Sequence, residues 1–165
     1  MIKLYGYGRS RWVKPYWTLQ ELGVPFEPHV IRPDLIHSDH PEFLNVNPYA
    51  KIPAISDGDF TLFEASAICT YLADKHSEKG LCPKPGTHSR ALYDQFISLC
   101  TTDLEQALWR IAKNTFLYPE AKRSLADIEM AKGDFLKEAA VLEKHITEHL
   151  VGGKFSVADI AMTYT

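Results

Sequence analysis

Cysteine is scarce in this 165-residue chain, and Cys69, Cys82 and Cys100 stand far apart with no Cys-x-x-Cys spacing. That excludes a disulfide framework and the common cysteine-based metal and redox motifs, and suits a reduced, cytoplasmic protein. Positive charge is not in excess either. Eighteen Lys+Arg against 21 Asp+Glu give a formal charge of -3 and a pI near 6.1, so neither nucleic acid nor a polybasic membrane contact is expected. No apolar run approaches the roughly 20 residues that span a bilayer. The opening stretch, "MIKLYGYGRS", has no long apolar core, so no secretory leader is expected. Internal repeats and low-complexity tracts are absent. What remains, 45% hydrophobic and 24% charged residues, is the composition of a soluble globular protein, long enough for one ordinary domain or two small ones.

The chain divides into halves of different rhythm. In the first, Met1 to Tyr5 alternates as a short strand, Gly6-Tyr7-Gly8 is a turn, and Ser10 to Leu22 reads as a helix closed by Gly23. "VPFEPHV" reads as an edge strand because of Pro25 and Pro28. "PEFLNVN" suits one helical turn with Pro41 at its first position. "IPAI" and "FTLF", joined through Ser56-Asp57-Gly58-Asp59, form a hairpin, and a helix from about Glu64 to His76 follows, with Ile68, Tyr71 and Leu72 on one face. Strand, helix, strand, hairpin, helix is an α/β pattern with a small mixed sheet. A Pro- and Gly-containing stretch at 79–87 reads as a linker between a first domain at 1–78 and a second at 88–165. The second half is all helical. Leu92, Phe96, Leu99, Leu104, Leu108 and Ile111 step along one helix, and Leu125, Ile128, Phe135, Ala139, Leu142 and Ile146 along another that Pro119 is expected to open. "SVAD", Ser156 to Asp159, has the form of a capping box, with Phe155 and Ile160 placed to staple the helix start.

One stretch carries chemistry. Pro53 interrupts an apolar run, Ile52 to Ile55, where proline removes a ladder donor. Two readings stand: a strand-edge proline, or a cis Ile52–Pro53 bond that turns the N–H and C=O of Ile52 outward to a ligand. Glu64 opens the next helix, beside the backbone N–H groups of Ala65 and Ser66 at the positive end of the dipole. Glu64 alone is explained by the dipole. Together with the kinked segment, the helix start suits a ligand bearing a carboxylate and an ammonium on adjacent atoms, an α-amino acid head.

"NPYAKIPAI", "DG" and "LFEASAICTYLADKH", in that order, resemble the glutathione-binding core of the cytosolic glutathione S-transferases, of the bacterial-type, theta- or zeta-like serine class, and "FSVADI" resembles the capping box of that family's helical domain. The resemblance covers nearly the whole chain. It implies a thioredoxin-like first domain with a mixed four-stranded sheet, an all-α second domain, glutathione as co-substrate, no metal and a homodimer. It further implies that Ile52, ahead of Pro53, bonds the cysteinyl backbone, that Glu64 with Ala65 and Ser66 holds the γ-glutamyl group, and that Lys51 lies near the glycyl carboxylate. Two departures stand out. Ala65 occupies the position of the family's usual serine, and the chain ends soon after "SVAD", so the helical domain is expected to be incomplete.

Transferase chemistry needs a thiolate, and a free thiol with a pKa near 8.5 is only a few per cent ionised at neutral pH. Family members with similar turns use a serine at the first strand-to-helix turn, which points to Ser10; Tyr5 aligns with the tyrosine of other classes and is the alternative. The turn has no thiol, which disfavours disulfide exchange. Arg9, Arg11 and Lys14 form a basic, solvated face. Tyr7, Trp12, Trp109 and Phe116 are candidates for an apolar pocket that receives a small hydrophobic electrophile. His145 and His149 have i, i+4 spacing without a third ligand, and His37 and His40 precede "PEF". Two other functions stay open: a non-catalytic docking module of the same fold, and glutathione-dependent peroxidase or isomerase activity.

Overall fold

The computed structural model describes residues 1–146 and 148–165, with Ser38 described by its backbone alone. Two compact units make up the chain, Met1–Lys84 with Tyr164 and Pro85–Thr163 with Thr165.

The first unit is built on four strands: β1 (Ile2–Gly6), β2 (Phe26–Val30), β3 (Ala54–Asp57) and β4 (Phe60–Phe63). Their order is β2-β1-β3-β4, with β1 and β2 parallel and the other pairs antiparallel. β2 is an outer strand, as its proline predicts. Pro53 turns out not to interrupt a strand, because β3 begins only at Ala54. The β3–β4 hairpin turns at Gly58, whose φ of 62° lies in the left-handed region. Alternation along β1 sends Ile2 and Leu4 to one face and Lys3 and Tyr5 to the other. On the first face α1 (Val13–Leu22) packs against α3 (Ala65–Lys75), burying Leu19, Leu22, Ile68 and Leu72. On the second, Tyr5 and Ala54 join Ile31, Ile36 and Phe43, carried by the single turn α2 (Ile36–Asp39) and a 3-10 turn at Pro41–Asn45. The Asp57 carboxylate accepts from Tyr71 Oη at 2.7 Å and from Lys75 Nζ, tying the hairpin to α3.

In the second unit α4 (His88–Leu99) and α5 (Glu105–Ala112) belong to one long rod, interrupted at Cys100–Leu104 and followed at Lys113–Leu117 by wider π turns. α6 (Leu125–Glu143) runs back against α5. Its first residue is not reached from Pro119 as expected. Ser124 is the N-cap, its Oγ accepting from Asp127 N–H at 3.1 Å, and Pro119 only precedes a 3-10 turn at Glu120–Lys122. Arg110 donates to Asp127 and Asp134 at 2.6 Å each, and buried Asn114 donates to Asp127 and accepts from Ser124 N–H. This network fixes the α5–α6 corner and leaves Leu125 80% exposed, off the apolar face that its periodicity suggests. α7 (Val157–Thr163) is capped by Asp159, whose carboxylate accepts from Ser156 N–H, Ser156 Oγ and Leu150 N–H at 2.8–2.9 Å. His145 and His149 both lie beyond the end of α6, so their spacing is not that of one helix face.

Candidate functional site

The register of the sheet decides which loops meet. Tyr5 pairs with Ala54, and Ala54 pairs with Phe63. β1 ends one residue after Tyr5, β3 begins at Ala54 and β4 ends at Phe63. The turn at 7–12, the segment at 50–53 and the helix start at 64–66 therefore all leave the same end of the sheet. Strand ends of this kind are where ligand crevices form in open α/β sheets. Tyr7, Ser10, Trp12, Lys51, Ile52, Pro53, Glu64, Ala65 and Ser66 fall in these three segments. Tyr5 and Trp109 do not.

The first segment is a turn, not the first turn of a helix. Gly8 takes a φ of 52°, Trp12 Nε1 donates to the Gly8 carbonyl at 2.6 Å, and α1 starts at Val13, three residues after the expected Ser10. The turn is held close to the strand, since a Cβ on Gly6 would fall 2.4 Å from Trp12 Cβ. Ser10 is half-buried. Its carbonyl accepts from Val13 N–H at 3.1 Å, and its Oγ accepts a long contact from Trp12 N–H at 3.5 Å. Among the described residues nothing accepts the Ser10 hydroxyl hydrogen, which leaves a donor at the mouth of α1. Lys14 departs from the expected solvated basic face, being only 2% exposed.

In the second segment the Ile52–Pro53 bond is cis. Neither the N–H nor the C=O of Ile52 has a partner among the described residues. Ahead of it Asn47, 2% exposed, folds the chain on itself: its Oδ1 accepts from Tyr49 N–H at 3.0 Å, its carbonyl from Ala50 N–H at 3.0 Å, and its Nδ2 donates to the Lys51 carbonyl at 2.6 Å. Sequence reasoning passed over Asn47. Its signal was the Asn47-Pro48 pair, a turn initiator.

In the third segment Glu64 sits at the N-cap of α3 with φ 73° and ψ 116°, a conformation that costs a non-glycine residue about 1–3 kcal/mol. Its side chain makes no capping bond and is exposed. Dipole capping by a side-chain bond therefore does not explain it. The first bond of the helix runs from Ile68 N–H to the Glu64 carbonyl at 2.9 Å, so the N–H groups ahead of it face out of the positive end of the dipole. A donor-lined seat for a ligand's carboxylate and a side-chain carboxylate for its cation thus lie side by side.

Tyr5 is engaged elsewhere. Its ring lies 4.9 Å from that of His29 and 5.5 Å from that of Phe43, and its hydroxyl accepts from Ser56 Oγ at 3.4 Å. Trp109 belongs to the second unit, on α5, and is 40% exposed. The protein's own thiols are not nucleophiles here: all three cysteines are buried, and burial pushes the Cys69 thiol up to about 12. Among the described residues no group of three His, Cys, Asp or Glu is arranged to hold a metal, and no helix is long and apolar enough to cross a membrane.

Comparison with known proteins agrees with this fold. Residues 1–74 match the family model described as the glutathione S-transferase N-terminal domain. The chain is similar to glutathione S-transferase 3 of Zea mays, 30% identical over 165 residues that cover 96% of this chain and 73% of that protein. It is also similar to human glutathione S-transferase theta-1, 34% identical over 58% of this chain and 40% of the relative. Among solved structures, the glutathione transferase URE2P8 of Phanerochaete chrysosporium with oxidized glutathione superposes at a TM-score of 0.89, with 26% identity, over 99% of this chain and 76% of that one. A glutathione transferase family member from Pseudomonas fluorescens with two glutathione bound gives 0.85 at 28% identity, over 99% and 74%.

Proposed function

The chain belongs to the glutathione S-transferase family, and from that premise we propose that it binds glutathione at the shared sheet end and conjugates its sulfur to a small apolar electrophile. The observation that supports this reading is the alignment of Tyr5, Ala54 and Phe63 in register, from which three segments leave the same end of the sheet. The Ile52 N–H and C=O supply a strand-like pair for the cysteinyl backbone. The α3 mouth takes the γ-glutamyl carboxylate, and the Glu64 carboxylate its ammonium. Lys51 is exposed and carries the charge that suits the glycyl carboxylate.

Ser10 then acts on the sulfur. Its hydroxyl hydrogen donates to the thiolate, favouring the ionised form, and the nearby start of α1 adds its positive end. A two-unit fall in the thiol pKa corresponds to about 2.7 kcal/mol. The thiolate attacks the electrophile, the new carbon–sulfur bond forms as the leaving group departs with its electron pair, and the proton released by the thiol goes to solvent. Tyr7 and Trp12, next to Ser10 in the same turn, provide apolar surface for the acceptor. The protein works as a homodimer in a reducing compartment, consistent with its free cysteines. The test is retention on immobilised glutathione with elution by free glutathione, followed by titration of the ultraviolet thiolate band. In Ser10→Ala the titration moves about two units alkaline, while in Tyr5→Phe it stays in place. Flow-through of the folded protein would end the proposal.

A further inference from the structure

Asn47 makes more contacts with the chain around Ile52 than a loop residue needs. Its side chain is 2% exposed, and both of its amide atoms are used. The Oδ1 bond to Tyr49 N–H closes an Asx turn, and the Asn47 carbonyl receives Ala50 N–H. These two bonds curl the loop and bring Ala50 to a φ of 52°. They would suffice to fold it. The Nδ2 bond to the Lys51 carbonyl, at 2.6 Å, does something different. The Lys51–Ile52 peptide bond is trans, and in a planar trans unit the carbonyl and the following N–H point in opposite directions. Anchoring the Lys51 oxygen inward on a buried amide therefore aims the Ile52 N–H outward and stops that peptide plane from rotating. The Ile52 side chain, packed on the Phe43 cluster, secures the other end of the unit.

The geometry points to Asn47 as a positioning residue for glutathione: through the Lys51 carbonyl it presets the Ile52 N–H that receives the cysteinyl backbone. This assignment rests on the binding reading above. Asn47 touches no ligand itself, and Glu64 and Ser10 lie on other segments. Its loss is expected to fall on binding and to leave the thiolate alone. A fixed donor lowers the cost of ordering the site on binding, and a contact made equally in ground and transition states moves KM without moving kcat.

The test uses two variants. Asn47→Asp is nearly isosteric and keeps the acceptor for Tyr49 N–H, but puts an oxygen where Nδ2 donated. Asn47→Ser keeps a turn-forming oxygen that is too short to reach the Lys51 carbonyl. Each is assayed for conjugation over a range of glutathione concentrations and pH, with circular dichroism as the check on folding. The expected result at neutral pH is a KM for glutathione raised about three- to tenfold, with kcat at saturating glutathione and the pH profile of kcat unchanged. Recovery of Asn47→Asp at acid pH, as the carboxyl gains a proton to donate, is expected too. A wild-type KM at neutral pH in either folded variant overturns the assignment. So does a fall in kcat with a moved pH profile, which marks a general collapse of the site, and so does failure of both variants to fold. If instead the wild-type chain does not bind glutathione at all, it is the functional reading that fails.

Discussion

Gly6→Ala is the sharpest perturbation the site offers, because it changes one methyl group and no chemical participant. The added Cβ would lie 2.4 Å from both Cβ and Cγ of Trp12 and 2.6 Å from its Cδ2. Carbon atoms in contact prefer about 3.5–4.0 Å, so relief needs a shift of about 1 Å. A rotamer change cannot supply it, since one clashing atom is Trp12 Cβ, which moves only with the backbone. The turn must be displaced as a body, and with it the Trp12 Nε1 bond to the Gly8 carbonyl and the Ser10 hydroxyl. Overpacking of this kind costs about 1–3 kcal/mol of stability. A displacement of about 1 Å at a reacting group costs about a hundredfold in rate. Gly6→Ala is therefore expected to fold, to melt a few degrees lower, and to lose about two orders of magnitude in kcat for conjugation to an activated aryl halide. The double variant with Ser10→Ala isolates the route. If Gly6 acts by placing Ser10, the double variant is little worse than Ser10→Ala alone, because groups that act as a unit are not additive. A folded Gly6→Ala enzyme with kcat within twofold of wild type would refute the argument, as would fully multiplicative losses.

Ala65→Ser restores a hydroxyl at the helix mouth and is expected to lower the KM for glutathione about tenfold, the worth of one added charge-assisted bond; initial-rate kinetics decide it, and an unchanged or higher KM counts against a carboxylate seat there. Lys75, first, and Tyr71 hold the Asp57 carboxyl below its ordinary value. A depressed folded pKa means that this stabilisation is full above the unfolded value of about 3.9 and fades as pH falls through the lower folded value. Wild type is thus expected to lose its margin over Lys75→Ala below about pH 4, which urea denaturation at stepped pH measures. Asp159→Ala strips the acceptor from two backbone N–H groups and the Ser156 hydroxyl. It is expected to cost about 3 kcal/mol and to lower Tm by about 6–12 °C in a thermal melt.

The architecture was legible where local rules and tertiary demands coincide. Pro28 predicted an outer strand, the Asp57-Gly58-Asp59 run a hairpin, and Ser156 with Asp159 a capped helix, and each is found. Ser10 as a helix start was misread because Gly8 and the Trp12 indole close a turn that uses up those residues first. Pro119 was misread because Asn114, ten residues before Ser124, captures the Ser124 N–H and so chooses the N-cap by a bond between elements. Lys14 looked solvated because charge in a sequence says nothing about which helix face a neighbour will cover. For the candidate site, the residues with a chemical label were visible, Glu64 and Ser10 among them. Asn47 was not, because its work is done on backbone atoms.

That difference follows from how the site is made. Most of what the proposed site would present to a ligand is main chain: the Ile52 N–H and C=O, and the N–H groups at the mouth of α3. Main-chain donors are the same in every residue, so sequence betrays them only through the residues that hold them in place. Pro53 fixes the exit of one segment, Asn47 its entrance, and Glu64 tolerates a φ of 73° so that β4 can pass into α3 without a spacer. The strained Glu64 is the single residue between Phe63, which pairs with Ala54 across the ladder, and Ala65, so the helix starts directly beyond the end of the sheet. A more relaxed connection would lengthen the link and carry the helix end away from Ile52. The proposed site is therefore a consequence of register, and changes that move the register by a residue are expected to abolish glutathione binding even where every residue proposed to face the ligand is retained.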